Sequence, residues 1–197
     1  MNRLKIGPSI GANDDQRRGE LNPSLASGGP ALEKRQDILI EAVPGARRMA
    51  ALTDPKVQSP EQLGGLQGAA RAHHIELSIH SVTRTEEIAP AIDAAKASGA
   101  AALNVLATPL VFANRQILVE RTQELRLPAV YQWPEIAEEG GLMAYGPRIV
   151  EIFRQLGRQL AKVLQGANPA DLPVEQPTSF ELVINLRSAK AIGHQHY

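Results

Sequence analysis

The sequence predicts an α/β protein whose core is a parallel β-sheet covered by helices on both faces. Three observations predict this class. Short apolar runs alternate with longer amphipathic segments along the 197-residue chain. The short runs are apolar at consecutive positions, as in strands that are buried on both faces. The 16 glycines and 14 prolines mark many short connections. A doubly wound sheet with right-handed helical crossovers accounts for all three.

Composition and charge restrict the class of function. The 21 Lys and Arg residues balance the 21 Asp and Glu residues, so the chain has no overall attraction to nucleic acid or to an anionic membrane. It contains no cysteine, which excludes disulfides, thiolate metal sites and a cysteine nucleophile. No apolar stretch is long enough to predict a membrane span. The first 11 residues lack the apolar core of an export signal.

The predicted elements follow in chain order. Residues 1–31 are polar and rich in turn formers, which predicts an irregular arm. A helix begins near Leu32 and ends before Pro44. Strands at 49–52, 75–82, 101–106 and 127–131 are then separated by helices at 59–73, 83–99 and 108–125. Capping boxes are predicted for two of these helices, at Ser59 with Gln62 and at Thr83 with Glu86.

The last third of the chain predicts further elements. A short helix at 134–139 and a short strand at 142–144 precede Pro147, which begins the clearest amphipathic helix. Its apolar stripe runs from Ile149 to Leu164 and needs a surface to pack against. The β-branched and apolar run at 180–186 predicts a last strand, and 188–192 the start of a helix.

Ligands of open parallel sheets bind at the carboxyl ends of the strands, where loops and helix N-termini converge. The segments after the predicted strands carry a polar and aromatic set, namely Thr53, Asp54, Ser81, Thr83, Thr108, Gln132 and Trp133. Trp133, with Tyr131 nearby, suits stacking on a planar ligand, and Thr108 at a helix start suits holding a carboxylate. The competing interpretation is structural: Thr108 only caps its helix, and Trp133 packs against a neighbour.

Several residues match part of a catalytic or metal-binding motif without completing it, namely Asp54, Gly64, Gly65, Gly68, His194 and His196. The aspartate lacks the acidic pair with which a phosphoacceptor domain holds Mg²⁺. The glycines lie inside a predicted helix and lack the ending of a phosphate loop. The two histidines have no third ligand nearby. We therefore expect no enzyme, no metal site and no cofactor.

Five ordered strings carry a family resemblance: EAVPGA at 41–46, LPAVY at 127–131, EGGLMAYGP at 139–147, ANPADLPVEQPT at 167–178 and FELVINL at 180–186. Together they closely resemble the ABC transporter substrate-binding protein family with a type I periplasmic-binding fold, the group that includes tryptophan-type binding components. The resemblance covers 32–193. It implies Rossmann-like lobes that close on a small solute, such as an amino acid, for an ABC transporter permease.

The resemblance also implies a division of the chain. Residues 1–31 form the arm, 32–146 correspond to the Rossmann-like C-terminal lobe, and 147–197 supply a helix and a strand of an incomplete N-terminal lobe. Because 1–31 hold no counterpart of that lobe, we expect a truncated member. Its exposed apolar surface is then reburied on the remaining lobe or in a homo-oligomer. The family implies a periplasmic location, and the missing export signal implies the cytoplasm if Met1 is the true start.

The resemblance further implies one ligand-facing wall, made of Thr108, Phe112, Tyr131, Gln132, Trp133 and Tyr145. Two alternatives stay open. One is a cytosolic small-molecule-sensing regulatory module of the same fold, which an attached helix-turn-helix would support; residues 1–30 show none. The other is a small doubly wound enzyme, which needs titratable groups that converge at the strand ends. Asp54 stands there almost alone.

Overall fold

A computed structural model describes residues 29–173, 175, 177 and 179–193. The helices among them are α1 (Gly29–Ala42), α2 (Pro60–Ala72), α3 (Ile88–Ala97), α4 (Pro109–Ala113), α5 (Arg115–Glu124), α6 (Pro134–Glu138), α7 (Ile149–Leu164) and α8 (Leu186–Ile192). The strands are β1 (Arg48–Thr53), β2 (Glu76–Ser81), β3 (Leu103–Val105), β4 (Ala129–Tyr131), β5 (Met143–Gly146) and β6 (Glu181–Ile184). Short 3₁₀ turns lie at Thr85–Glu87 and Pro169–Asp171. None of the described helices combines the length and apolarity needed to cross a membrane.

The six strands form one sheet in the order β2-β1-β3-β4-β5-β6. Strands β1 to β5 are parallel, and β6 runs antiparallel to β5 with Met143 opposite Ile184. The direction of strand addition reverses between β1 and β3, which is the topological switch point of this sheet. The predicted doubly wound α/β class is confirmed.

Each face of the sheet is covered by its own hydrophobic cluster. Alternate residues of β1 show the division: Leu52 belongs to the cluster beneath α3, α5 and α6, whereas Met49 belongs to the cluster beneath α1, α2 and α8. Every residue of β3 and β4 is buried. This two-sided burial is the physical reason that the strand sequences are apolar at consecutive positions.

The structure confirms one of the two predicted capping boxes and contradicts the other. At α2 the box is confirmed, since Ser59 Oγ accepts from Gln62 N at 3.3 Å and Gln62 Oε1 accepts from Ser59 N at 2.9 Å. The box at Thr83 with Glu86 is wrong. A 3₁₀ turn precedes α3, so Glu87 instead accepts from Thr83 N at 2.8 Å. This backbone hydrogen bond, with Arg84 beside it, lowers the pKa of Glu87 to about 2.

Two other boundaries differ from the sequence expectation. The helix predicted at 108–125 is two helices, because the chain turns at Asn114, whose side-chain amide donates to the Leu110 carbonyl at 2.8 Å. The predicted arm at 1–31 lies outside the described residues except for 29–31, and 29–31 already belong to α1. The tail with His194 and His196 also lies outside them.

Strand β6 extends the sheet, although the sequence analysis assigned 147–197 to an incomplete second lobe. Val183 and Ile184 pack against the clusters on opposite faces of the sheet, and Asn185 N donates to the Leu142 carbonyl at 2.8 Å. Helix α8 then buries Ala189. These contacts join β6 and α8 to the preceding residues in one body; the division into lobes stays a prediction.

Helix α7 differs from the other long helices because it has no buried residue. One face carries exposed apolar side chains, whose exposed fractions lie between 45% and 79%: Val150, Phe153, Leu156, Leu160 and Leu164. Its N-terminus is held by Arg148, which pairs with Glu138 and Glu181 at 2.9 Å. The helix is therefore anchored at one end while its apolar stripe faces outward.

Two glycines make a matched test of the packing. A Cβ on Gly146 would lie 2.0 Å from the Gln132 backbone oxygen, whereas a Cβ on Gly157, in the middle of α7, meets nothing within 4 Å. We expect Gly146→Ala to lower the free energy of unfolding by about 1–3 kcal/mol. Gly157→Ala is expected to raise it by about 0.5–1 kcal/mol, because alanine is the better helix former. Urea unfolding measures both, and equal stabilities would contradict the close approach of β4 and β5.

Candidate functional site

The switch point between β1 and β3 is filled by the side chain of Gln58. Its Oε1 accepts from Thr53 Oγ1 at 2.7 Å and from Asp54 N at 3.3 Å, and its Nε2 donates to the Ala107 carbonyl at 3.0 Å. One amide thereby joins the loops that follow both strands. Sequence reasoning missed Gln58; the available signal was its place directly before the α2 capping box.

The carboxylate of Asp54, at the end of β1, accepts a hydrogen bond from its own loop. It is 8% exposed, and its Oδ1 accepts from Lys56 N at 2.9 Å. This is a local turn interaction rather than a contact to a second acidic side chain. Among the described residues no group of three His, Asp or Glu side chains is arranged to hold a metal ion.

Two aromatic residues from the segments that follow β3 and β4 meet: Phe112 in α4 and Trp133 at the start of α6. The rings of Phe112 and Trp133 lie edge to face, with centroids 5.1 Å apart and planes at 68°. The Arg115 guanidinium covers the Phe112 ring at 4.9 Å and pairs with Glu139 at 2.6 Å. We call Phe112, Arg115 and Trp133 the rim cluster. Both aromatic residues are partly exposed, so the cluster offers apolar surface beside an ion-paired guanidinium.

Thr108 positions the rim cluster from below. It is 2% exposed, and its Oγ1 accepts from Val111 N at 3.0 Å as the N-cap of α4. The cap that the structural interpretation requires is therefore present, and a contact of Thr108 with a ligand stays a prediction. Its hydroxyl fixes the start of the helix that carries Phe112.

A second group lies at the end of β5. Tyr145 stacks on Phe180, with centroids 5.7 Å apart and planes at 28°, and its backbone oxygen lies 3.5 Å from Arg35 Nη1. We call Arg35, Tyr145 and Phe180 the β5 cluster. The close approach of Gly146 to the Gln132 carbonyl brings the ends of β4 and β5 together. Gln132 therefore stands between the rim cluster and the β5 cluster.

Tyr131 lies apart from the other predicted site residues. It is fully buried in the core, and its hydroxyl is 3.0 Å from Thr122 Oγ1. Burial raises the pKa of Tyr131 to about 12. The structure thus brings Phe112, Gln132, Trp133 and Tyr145 to the carboxyl edge with partly exposed side chains, and it keeps Tyr131 beneath them.

Three glutamates surround Arg148 at the start of α7. Its guanidinium lies 2.9 Å from Glu138 and from Glu181, and 3.9 Å from Glu135. Hydrogen bonds to Glu138 and Glu181 raise the pKa of Arg148 above its ordinary value. These carboxylates hold α6, β6 and the start of α7 together, and none of them is arranged as an acid or base opposite the rim cluster.

The sequence was compared with models of protein families. The model described as ABC transporter substrate binding protein matches residues 27–196. The chain belongs to this family. None of the curated proteins compared with it matches. The family is one of solute-binding proteins, which agrees with the resemblance in the sequence.

Solved structures of other proteins share the fold. A conserved domain protein from Vibrio cholerae has a TM-score of 0.76 at 19% identity over 84% of this chain and 56% of its own. The ABC domain in complex with L-Trp from Streptococcus pneumoniae has a TM-score of 0.74 at 22% identity over 84% and 58%. The chain therefore spans a little over half the length of these two structures.

A transcriptional repressor also has a similar fold. A probable maltose operon transcriptional repressor from a Staphylococcus has a TM-score of 0.56 at 14% identity, over 80% of this chain and 58% of its own. At such identities the likeness shows a fold that transport proteins and regulators share. The choice between them rests on the family match and on the site.

The burial of Tyr131 predicts that one of the chain's three tyrosines ionises late. One is expected to ionise only near pH 12, and Tyr131→Phe should remove that step from the alkaline absorbance titration, whereas Tyr145→Phe should leave it. Because the pKa of Tyr131 is higher in the folded state, its contribution to the free energy of unfolding is complete below about pH 10 and is lost as the pH rises towards 12. A late step that survives Tyr131→Phe would contradict this assignment.

Proposed function

We propose that this chain captures a small solute, such as an amino acid, for an ABC-type importer and that it is not an enzyme. The observation that carries the proposal is the aromatic rim cluster at the carboxyl edge of a chain of the substrate-binding family. The Streptococcus pneumoniae structure in complex with L-Trp supports an amino acid as the ligand class. The permease partner and the periplasmic setting follow the family.

The proposed site has an apolar part and a polar part. The partly exposed faces of Phe112 and Trp133 take the apolar portion of the solute, since aromatic rings bury large areas at low entropic cost. Gln132 and Tyr145 supply hydrogen-bonding groups on the β5 side. Thr108 acts through the α4 cap that it makes. Tyr131 supports the site from the core and does not touch the solute.

The described carboxylates favour binding over catalysis. Glu139 is paired with Arg115, Glu138 and Glu181 are paired with Arg148, and Asp54 caps its own loop. A general acid or base needs a carboxyl group that is free to exchange a proton with a substrate at hydrogen-bond distance. Ion-paired carboxylates instead fix the loops around the rim cluster.

Trp133 permits a direct test, because it is the only tryptophan of the chain. We expect one or more members of a panel of standard amino acids to change the fluorescence of Trp133 and to raise the melting temperature. A ligand at about 100 times its Kd adds roughly 2.7 kcal/mol, or about 5–11 °C for this chain length. Calorimetric titration then gives the affinity.

Phe112→Ala is expected to weaken the binding of that amino acid by roughly tenfold or more, because it removes half of the aromatic pair. Phe153→Ala is the matched control, since Phe153 is 64% exposed on α7 and takes no part in the rim cluster. Its affinity should equal that of the unmodified chain. Equal losses in both variants, or no binding by any amino acid, would overturn the proposal.

A further inference from the structure

Arg35 is a buried cation without a counter-ion among the described residues. It lies in the middle of α1 with 2% of its surface exposed. Its Nε is buried and has no hydrogen-bond partner, and its Nη1 makes only the long 3.5 Å contact to the Tyr145 carbonyl. Burial lowers the pKa of Arg35 to about 10, and only the Tyr145 side chain offsets this effect.

The other buried polar side chains at α1, Gln36 and Asn104, pair with each other in part. Asn104 Nδ2 donates to Gln36 Oε1 at 3.0 Å, and Gln36 Nε2 contacts Met49 Sδ at 3.4 Å, leaving Asn104 Oδ1 as a second unpartnered atom. An unpaired buried charge is far more costly than an unpaired amide oxygen, since its full desolvation is uncompensated. Within the described part of the chain, the desolvation cost of Arg35 is therefore uncompensated.

The position of this charge connects it to the proposed site. Its contact, Tyr145, is the third of the four residues of β5 and lies at the carboxyl end, where Phe180 stacks on its ring. The next residue, Gly146, abuts the Gln132 carbonyl. The unpaired guanidinium thus lies beside the polar part of the site, with the rim cluster beyond Gln132.

We propose that Arg35 binds the carboxylate group of the solute. This inference rests on the proposed function, because it names the polar anchor of the same site. The planar guanidinium presents its N–H groups in a fork that matches a carboxylate, and such charge-assisted hydrogen bonds are stronger than the single long contact they replace. The solute supplies the negative charge that the described residues do not.

Arg35→Met tests the proposal because it keeps much of the side-chain volume and removes the charge. We expect the ligand-free variant to melt at or above the temperature of the unmodified chain, while its affinity for an amino acid from the panel falls roughly tenfold or more. The matched control is Arg121→Met, whose guanidinium pairs with Asp93 at 2.6 Å. It should bind the amino acid normally.

A comparison of acid and amide identifies the group that Arg35 holds. The unmodified chain is expected to bind each amino acid roughly tenfold or more tightly than the matching amino acid amide, and Arg35→Met should show no such preference. An unchanged preference in Arg35→Met would overturn the inference while leaving the proposed function intact.

Acetate separates the two proposals if no amino acid binds. Sodium acetate should then raise the melting temperature of the unmodified chain relative to sodium chloride at equal ionic strength, and it should have no such effect on Arg35→Met. If acetate raised the melting temperature of neither the unmodified chain nor Arg35→Met, the carboxylate site would be overturned as well.

The chain's own acids are the other source of a carboxylate. Asp14, Asp15 and Glu20 lie outside the described residues. If their replacement by Asn, Asn and Gln lowered the melting temperature of the unmodified chain but not of Arg35→Met, the occupant would be internal and the inference would be wrong.

Discussion

The structure depends on one constraint: both faces of the sheet are buried. Every residue of β3 and β4 lies in the core, so these strands present no surface at which a ligand can bind. Polar and aromatic side chains become accessible only where the chain leaves the strands, and parallel strands leave at the same edge. Tyr131 and Trp133 show the consequence. A single residue, Gln132, separates a tyrosine inside the core from a tryptophan at the rim.

The sequence predicts what depends on neighbours along the chain, and it fails where distant segments decide. The Ser59 capping box and the apolar strands are local, and both are confirmed. The pairing of Thr83 with Glu87 instead of Glu86 depends on a 3₁₀ turn that the periodicity does not show. Neither Gln58 nor Arg35 belongs to a recognisable sequence motif. Gln58 bridges two loops that are distant in the sequence. Arg35 stands out only because its buried Nε has no hydrogen-bond partner.

Two arginines illustrate opposite uses of the same side chain. Arg148 is surrounded by three glutamates, which hold α6, β6 and α7 at one corner of the sheet. Because its charge is compensated within the chain, it has a structural role. Arg35 is more deeply buried and lacks such compensation in the described part. Uncompensated charge reduces stability without improving the fold, and such a cost is typical of groups that a protein keeps for binding.

The contact between Gly146 and Gln132 relates the two halves of the site. A glycine at this point lets the backbone of β5 touch the carbonyl that follows β4, so Trp133, which follows β4, and Tyr145, which lies on β5 and contacts Arg35, are held at adjacent strand ends. If the proposed site is correct, a solute that engages both the rim cluster and Arg35 needs an apolar group and a carboxylate at a set separation. Selectivity then follows from the spacing of two backbone segments, and the side chains need only supply the chemistry at each end.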